Sequence, residues 1–157
     1  STQQPRTPRK REAKKARSAN RGCTDSHGRR VPCPDKAKTA RWLQEHAGAH
    51  SQEKCAHYVR EGLEAGGFDS TGRPIAAGDY GPFLTSRGAA AVPRDGYTPE
   101  MGDIVVFPKS ARHIWGHIAV FDGGQWISDF KQRRMSPFRD AQSSNDWTVY
   151  RFPNSSP

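Results

Sequence analysis

The sequence lacks any long apolar run. Nowhere does it offer the roughly 18 consecutive apolar residues that a membrane-spanning helix requires. No apolar stretch of export-signal type follows the basic N-terminus either. Hydrophobic residues are also scarce, at 33% of 157. That is too lean for the whole chain to share one core, and the shortage is local. In residues 1–34, Val31 is the only large aliphatic. Such a segment buries too little apolar surface to offset its ordering entropy. Cysteine is rare as well, with Cys23, Cys33 and Cys55 alone. No metal-finger spacing and no internal repeat is present.

Charge is plentiful but unevenly placed. The net charge of the chain is +9. Residues 1–41 hold 13 Lys/Arg and 3 Asp/Glu, whereas residues 42–157 hold 12 and 13. The basic character therefore belongs to the N-terminal part, and nucleic acid is not the expected partner of the remainder. The run from Arg6 to Arg21 reads as a solvated linker, with attraction to anionic polymer as the sharper alternative. These patterns divide the chain into a basic flexible extension, 1–34, and a single domain, 35–157. Transient helix is expected over 11–19.

Helices come first in the domain. Asp35 reads as an N-cap, with Ala37, Ala40, Leu43 and Ala47 at helical spacing and Gly48 as the stop. A second helix is expected from Ser51 or Gln52. It carries Cys55, Val59 and Leu63 on one stripe and ends at Gly66-Gly67. A third is expected from Tyr80 to Ala90, with Asp79 as its cap and Pro82 in its first turn. After Pro93 the pattern becomes β-type: Asp103–Phe107, Trp115–Phe121, Gln125–Phe130 beyond an Asp-Gly-Gly hairpin signal, and Thr148–Phe152. Helices followed by an antiparallel sheet make an α+β order. Residues 131–147 carry no readable pattern.

Three residues stand out chemically. Cys55 falls in the first turn of a helix, where exposed N–H groups and the dipole favour a thiolate. His117 opens a strand directly after Gly116. Asp129 follows twelve residues later, across the hairpin turn, where two strand positions can meet. Together they offer a nucleophile, a base and a carboxylate to orient the base, with Ser128 or Gln132 as other candidates for the orienting role. A zinc reading of His113, His117, Cys55 and His57 fails on geometry. Trp115-Gly116 reads as a turn, so the two later imidazoles do not share a helix face. Cys23 and Cys33 either close a disulfide loop in an oxidising compartment or stay reduced. The first case leaves Cys55 as the free thiol.

The segments Lys54-Cys-Ala-His-Tyr-Val-Arg-Glu-Gly-Leu-Glu-Ala-Gly-Gly67, Gly102-Asp-Ile-Val-Val-Phe107 and Gly116-His-Ile-Ala-Val-Phe-Asp-Gly-Gly124 occur in that order. In this they resemble the papain-like cell-wall amidases of the NlpC and CHAP families, including amidase effectors that bacteria inject into competitors. Lys54 stands where NlpC members usually carry an acidic residue. The resemblance implies a papain-like fold, with N-terminal helices packed on a small antiparallel sheet. It implies hydrolysis of a peptide amide bond in peptidoglycan, with Cys55 as nucleophile, His117 as base and Asp129 as the third polar residue. Tyr58, His113 and Trp115 are the expected substrate-binding residues. Trp126 is the possible partner of Trp115 in a platform, with core packing as its other reading. No cofactor is implied. Expected partners are peptidoglycan, a cognate immunity protein and an upstream delivery domain. The expected destination is the target-cell periplasm, reached without a signal peptide. A phage lysin and a non-catalytic basic binding module on the same fold are the competing readings.

Overall fold

The structure, a computed structural model, describes residues 22–154. The basic run and the helix expected over 11–19 lie outside them. The first helix, α1, spans Lys36–His46. Asp35 caps it as expected, its carboxylate accepting from the Lys38 N–H at 3.1 Å. The second, α2, spans Cys55–Ala65. It starts later than the apolar spacing suggests because Glu53 has φ +58°, which no right-handed helix accommodates. Val59, Gly62 and Leu63 form its buried face. A Cβ on Gly62 would lie 3.0 Å from Leu43 Cγ, so this bare position sets the close approach of α1 and α2. Gly67, at φ +92°, turns the chain out of α2.

The third helix is shorter than expected. A 3₁₀ turn, Ala77–Asp79, leads into α3, Tyr80–Ser86. Asp79 stands at its N-cap position as expected but makes no side-chain cap bond; its carboxylate pairs with Lys109 Nζ at 2.9 Å. Gly88, at φ +107°, ends the helical path, and Ala90–Val92 becomes strand β3. The further strands are β4 (Ile104–Phe107), β5 (His117–Phe121), β6 (Trp126–Ile127) and β7 (Thr148–Arg151). A single-turn helix, α4, covers Ala141–Ser144 in the stretch without readable pattern. The five strands form one antiparallel sheet in the order β3-β7-β4-β5-β6.

Both sheet faces are covered. Ile104, Val106, Ile118 and Val120 face the helices, where Leu43, Val59, Leu63, Tyr80 and Leu84 meet them. Val105, Phe107, Ala119, Trp126 and Val149 form a second apolar layer on the other face. Burial on both sides explains why β4 reads as an uninterrupted apolar run and not as an alternation. Asp103, fully buried at the head of β4, ties it to β7. It accepts from Arg151 Nε at 2.7 Å and Nη2 at 2.9 Å, from the Tyr97 hydroxyl at 2.7 Å and from the Glu100 N–H at 3.0 Å. Burial by itself would raise the Asp103 carboxyl. The donors, Arg151 foremost, overcome it and hold the group below its ordinary value.

One boundary needs correction. Residues 22–34 do not belong to a loose extension. Strand β1, Cys23–Thr24, pairs with β2, Arg30–Val31, and a disulfide joins Cys23 to Cys33. Both cysteines are fully buried in the helix-side core. The Ser26 N–H donates to the Ser86 carbonyl at 2.9 Å and fastens this small hairpin to the end of α3. Bonding the two sulfurs supplies apolar core volume that Val31 could not supply alone, and it shortens the loop that must be ordered. No helix among the described residues is long and apolar enough to cross a membrane.

Candidate active site

Cys55 is the first residue of α2, and the loop before it is held from across the fold. Asp129 Oδ2 accepts from the Gln52 N–H at 2.6 Å and the Lys54 N–H at 3.0 Å. Ser128 Oγ donates to Asp129 Oδ1 at 3.1 Å, and Gln52 Nε2 donates to the Asp129 carbonyl at 3.1 Å. Lys54 makes no side-chain cap. Asp129, 1% exposed, thus fixes the loop that leads into α2 through the N–H groups of Gln52 and of Lys54, the residue at the N-cap position.

The environment of the thiol differs from the expectation. Burial is the largest influence and pushes the Cys55 thiol up; the Asp129 charge adds to it. The N–H groups of Ile118, Ala56 and Cys55 pull the other way but do not prevail. The helix start therefore does not deliver a resting thiolate. Desolvation outweighs the dipole here.

His117 opens β5 directly after Gly116, at φ +66°. A side chain on Gly116 would collide with the Phe107 carbonyl and with Gly78, so only glycine brings the strand in at this place. The imidazole is 6% exposed and packs near the rings of Phe107 and Phe138. Its Nε2 lies 2.7 Å from Gln132 Oε1. The Gln132 amide nitrogen donates to the Arg134 and Met135 carbonyls at 3.0 and 3.1 Å, which fixes the amide orientation. The oxygen facing His117 can only accept, so Nε2 carries the proton and Nδ1 keeps its lone pair. Burial pushes the imidazole down to about 4, against the opposing pull of the Gln132 bond and the Asp129 charge.

Asp129 is thus not the hydrogen-bond partner of His117. The expected pairing required β6 to continue to Phe130, but its pairing with β5 covers only Trp126 and Ile127. The chain then doubles back. The Ser128 N–H bonds the Phe130 carbonyl at 3.0 Å, and the Gln132 N–H bonds the Trp126 carbonyl at 2.9 Å. This turn carries Asp129 away to the α2 loop and returns Gln132 towards β5. Gly48, at the end of α1, bridges to Phe130 and locks it.

Cys55, His117 and Asp129 line one cleft of about 580 Å³. His113 and Trp115 line it too. His113 is held by Asp140 Oδ1 at 2.8 Å and stacks on Phe138 with ring centres 3.7 Å apart. Asp140 carried no signal in the sequence. Trp115 is 61% exposed at the rim, whereas Trp126 is 5% exposed in the core, so the two form no platform. Tyr58 does not line the cleft. Its ring packs edge-on against Trp42, and its hydroxyl donates to Gln52 Oε1 at 3.3 Å, buttressing the Cys55 loop from behind. His57 meets Glu61 and Arg60 and not the cleft. Among the described residues no group of three or more His, Cys, Asp or Glu is placed to hold a metal.

The fold and cleft define a mixed α+β domain that presents a free thiol and a tautomer-fixed imidazole on facing elements. No family model matches the sequence. No curated protein matches it either. Among solved structures, the chain is similar to the effector of the type VI effector–immunity complex Tae3-Tai3 from Ralstonia pickettii. In the native crystal structure the identity is 33%, the match covers 76% of this chain and 99% of that one, and the TM-score is 0.68. In the selenomethionine structure the corresponding values are 34%, 73%, 99% and 0.65. The chain belongs to the Tae3 family of type VI effectors.

Proposed function

We propose that this effector is an antibacterial peptidoglycan amidase of papain-like fold that uses Cys55 as its nucleophile. The observation that carries the reading is the Gln132–His117 bond, which leaves Nδ1 as an acceptor in the cleft that Cys55 also lines. Because the thiol is pushed up and the imidazole down, the resting pair is neutral. His117 then acts as a general base and not as half of a standing ion pair. Nδ1 takes the Sγ proton as sulfur attacks the amide carbonyl carbon. The Cys55 N–H at the helix start, which faces the thiol in the resting site, is one donor to the developing oxyanion. The C–N bond breaks as the imidazolium returns the proton to the leaving amine. Water, deprotonated by His117, then hydrolyses the thioester. Gln132 holds the ring throughout. Asp129 anchors the Cys55 loop, and its charge favours the transient imidazolium.

The substrate is an amide of the stem peptide or of a crosslink, and the effector reaches it in the target-cell periplasm through the type VI route. A cognate immunity protein covers the cleft in the producer. The buried Cys23–Cys33 disulfide suits an oxidising destination. Turbidity of purified sacculi tests the reading. The wild type should clear them. Cys55→Ala should not, while keeping its circular dichroism spectrum. Equal clearing by both would end the proposal.

A further inference from the structure

Beside the catalytic cleft lies a second groove of about 430 Å³, lined by Ala56, His57, Arg60, Arg73, Ile75 and Tyr80 among others. Ala56 follows Cys55 directly, so the groove begins one residue from the thiol. A third hollow, which shares Ile75 with this groove and Ile114 and Trp115 with the cleft, joins the two. Ile75, Ile114 and Trp115 are 89%, 65% and 61% exposed, and they account for three of the four large hydrophobics that the described surface leaves open. An apolar shelf therefore runs from the thiol to a pair of arginines.

The arginines lack anionic partners. Arg60 Nε is buried with no hydrogen-bond partner. Its Nη2 donates to His57 Nδ1 at 2.8 Å, and His57 Nε2 in turn faces Glu61 Oε1 at 3.2 Å. The imidazole thus spaces Arg60 from Glu61, and that carboxylate does not neutralise the guanidinium. Glu64, one turn along α2, is engaged by the Ser70 hydroxyl. Among the described residues neither Arg60 nor Arg73 makes an ion pair. Tyr80, at the floor, lies within electrostatic reach of Arg60, Arg73, the Ser70-engaged Glu64 and the Cys55 thiol together. An unsatisfied buried guanidinium N–H is costly unless a ligand supplies the acceptor.

Building on the amidase reading, we infer that the Arg60–Arg73 groove is a substrate subsite that binds a free carboxylate of the peptidoglycan stem peptide. Guanidinium groups match carboxylates in planar geometry, and stem peptides are rich in free carboxylates. The apolar shelf would carry the intervening peptide across Trp115 and Ile75. A partly buried arginine should count for far more than an exposed one, so Arg60 is expected to dominate.

The test uses a labelled, soluble crosslinked muropeptide released from sacculi, with its carboxylates free or converted to primary amides. Its affinity is titrated against the full chain carrying Cys55→Ala, so that turnover is not needed. Adding Arg60→Gln should weaken binding of the free-carboxylate peptide about 10- to 100-fold. Arg73→Gln, at an exposed position that cannot unfold the domain, should weaken it severalfold, and Arg60→Lys should restore part of the loss. Amidation should cost the parent the same factor and the Arg60→Gln protein nothing more. Arg41→Gln, on the exposed face of α1, should bind like the parent. Equal affinity of the parent for both peptides would overturn the inference, as would equal losses on both peptides in the Arg60→Gln protein. Wild-type chain that binds with this carboxylate dependence yet fails to cleave sacculi would instead sink the amidase reading alone.

Discussion

At the scale of single residues, the protonation of two buried groups decides how the cleft works. His117 is pushed down to about 4, below the ordinary imidazole range, by burial. The folded state therefore binds the proton more weakly than the unfolded state. Between about pH 6.5 and 4 the unfolded chain takes up a proton that the folded one refuses, so stability falls as the pH falls. The same shift keeps the base neutral. Activity on sacculi should persist until the pH drops through about 4, where an ordinary histidine would already fail near 6.5. A pH–rate profile with its acid limb near 6.5 would refute the neutral-pair account. Gln132→Glu places a carboxylate against Nε2–H and should move that limb upward. Gln132→Ala should lower kcat by about 10- to 1000-fold with little change in KM, because it releases the tautomer and not the substrate. Gln132 stood in the sequence only as an alternative to Asp129. Their roles hinge on a turn after Ile127 that residue spacing does not disclose.

At the scale of elements, the strands were legible where β-branched runs are long, and illegible where they are short. Ile104–Phe107 and His117–Phe121 show themselves as apolar runs because both faces are buried. Ala90 reads as the end of a helix, since alanine favours helices locally, yet it opens the strand Ala90–Val92. Pairing with Val149, Tyr150 and Arg151 overrides that preference. The start of α2 was misplaced because the positive φ of Glu53 leaves no trace in composition. The Cys55 loop depends on Asp129 more than on its own residues, so Asp129→Ala should do more than remove a charge. Loss of two charge-assisted bonds to Gln52 and Lys54 should destabilise the fold by about 1–3 kcal/mol. Denaturant titration checks this. A variant of unchanged stability would show that the loop is held by other contacts.

At the scale of the molecule, a lean chain compensates with a cross-link and buried polar ties. The Cys23–Cys33 bond fixes a hairpin that the apolar count of residues 22–34 would not hold. Cys23→Ser with Cys33→Ser should lower stability by about 2–4 kcal/mol, read as a shift in Tm. An unchanged Tm would mean that the hairpin is held without the bond. The α+β order of helices before sheet was legible because turn signals and periodicity agree along most of the domain. The boundary was not, because a disulfide hairpin looks like any basic, proline-containing stretch until its two thiols are paired. All of this structure serves one cleft, and the central claim is that Cys55 in that cleft cleaves a peptide amide. Mass spectrometry of the soluble fragments released from purified sacculi tests it most directly. The account predicts fragments cut at a peptide amide, each cut adding one water, with glycan strands intact and no such products from Cys55→Ala. Cleavage within the glycan, or the same peptide fragments from the variant at the wild-type rate, would contradict it.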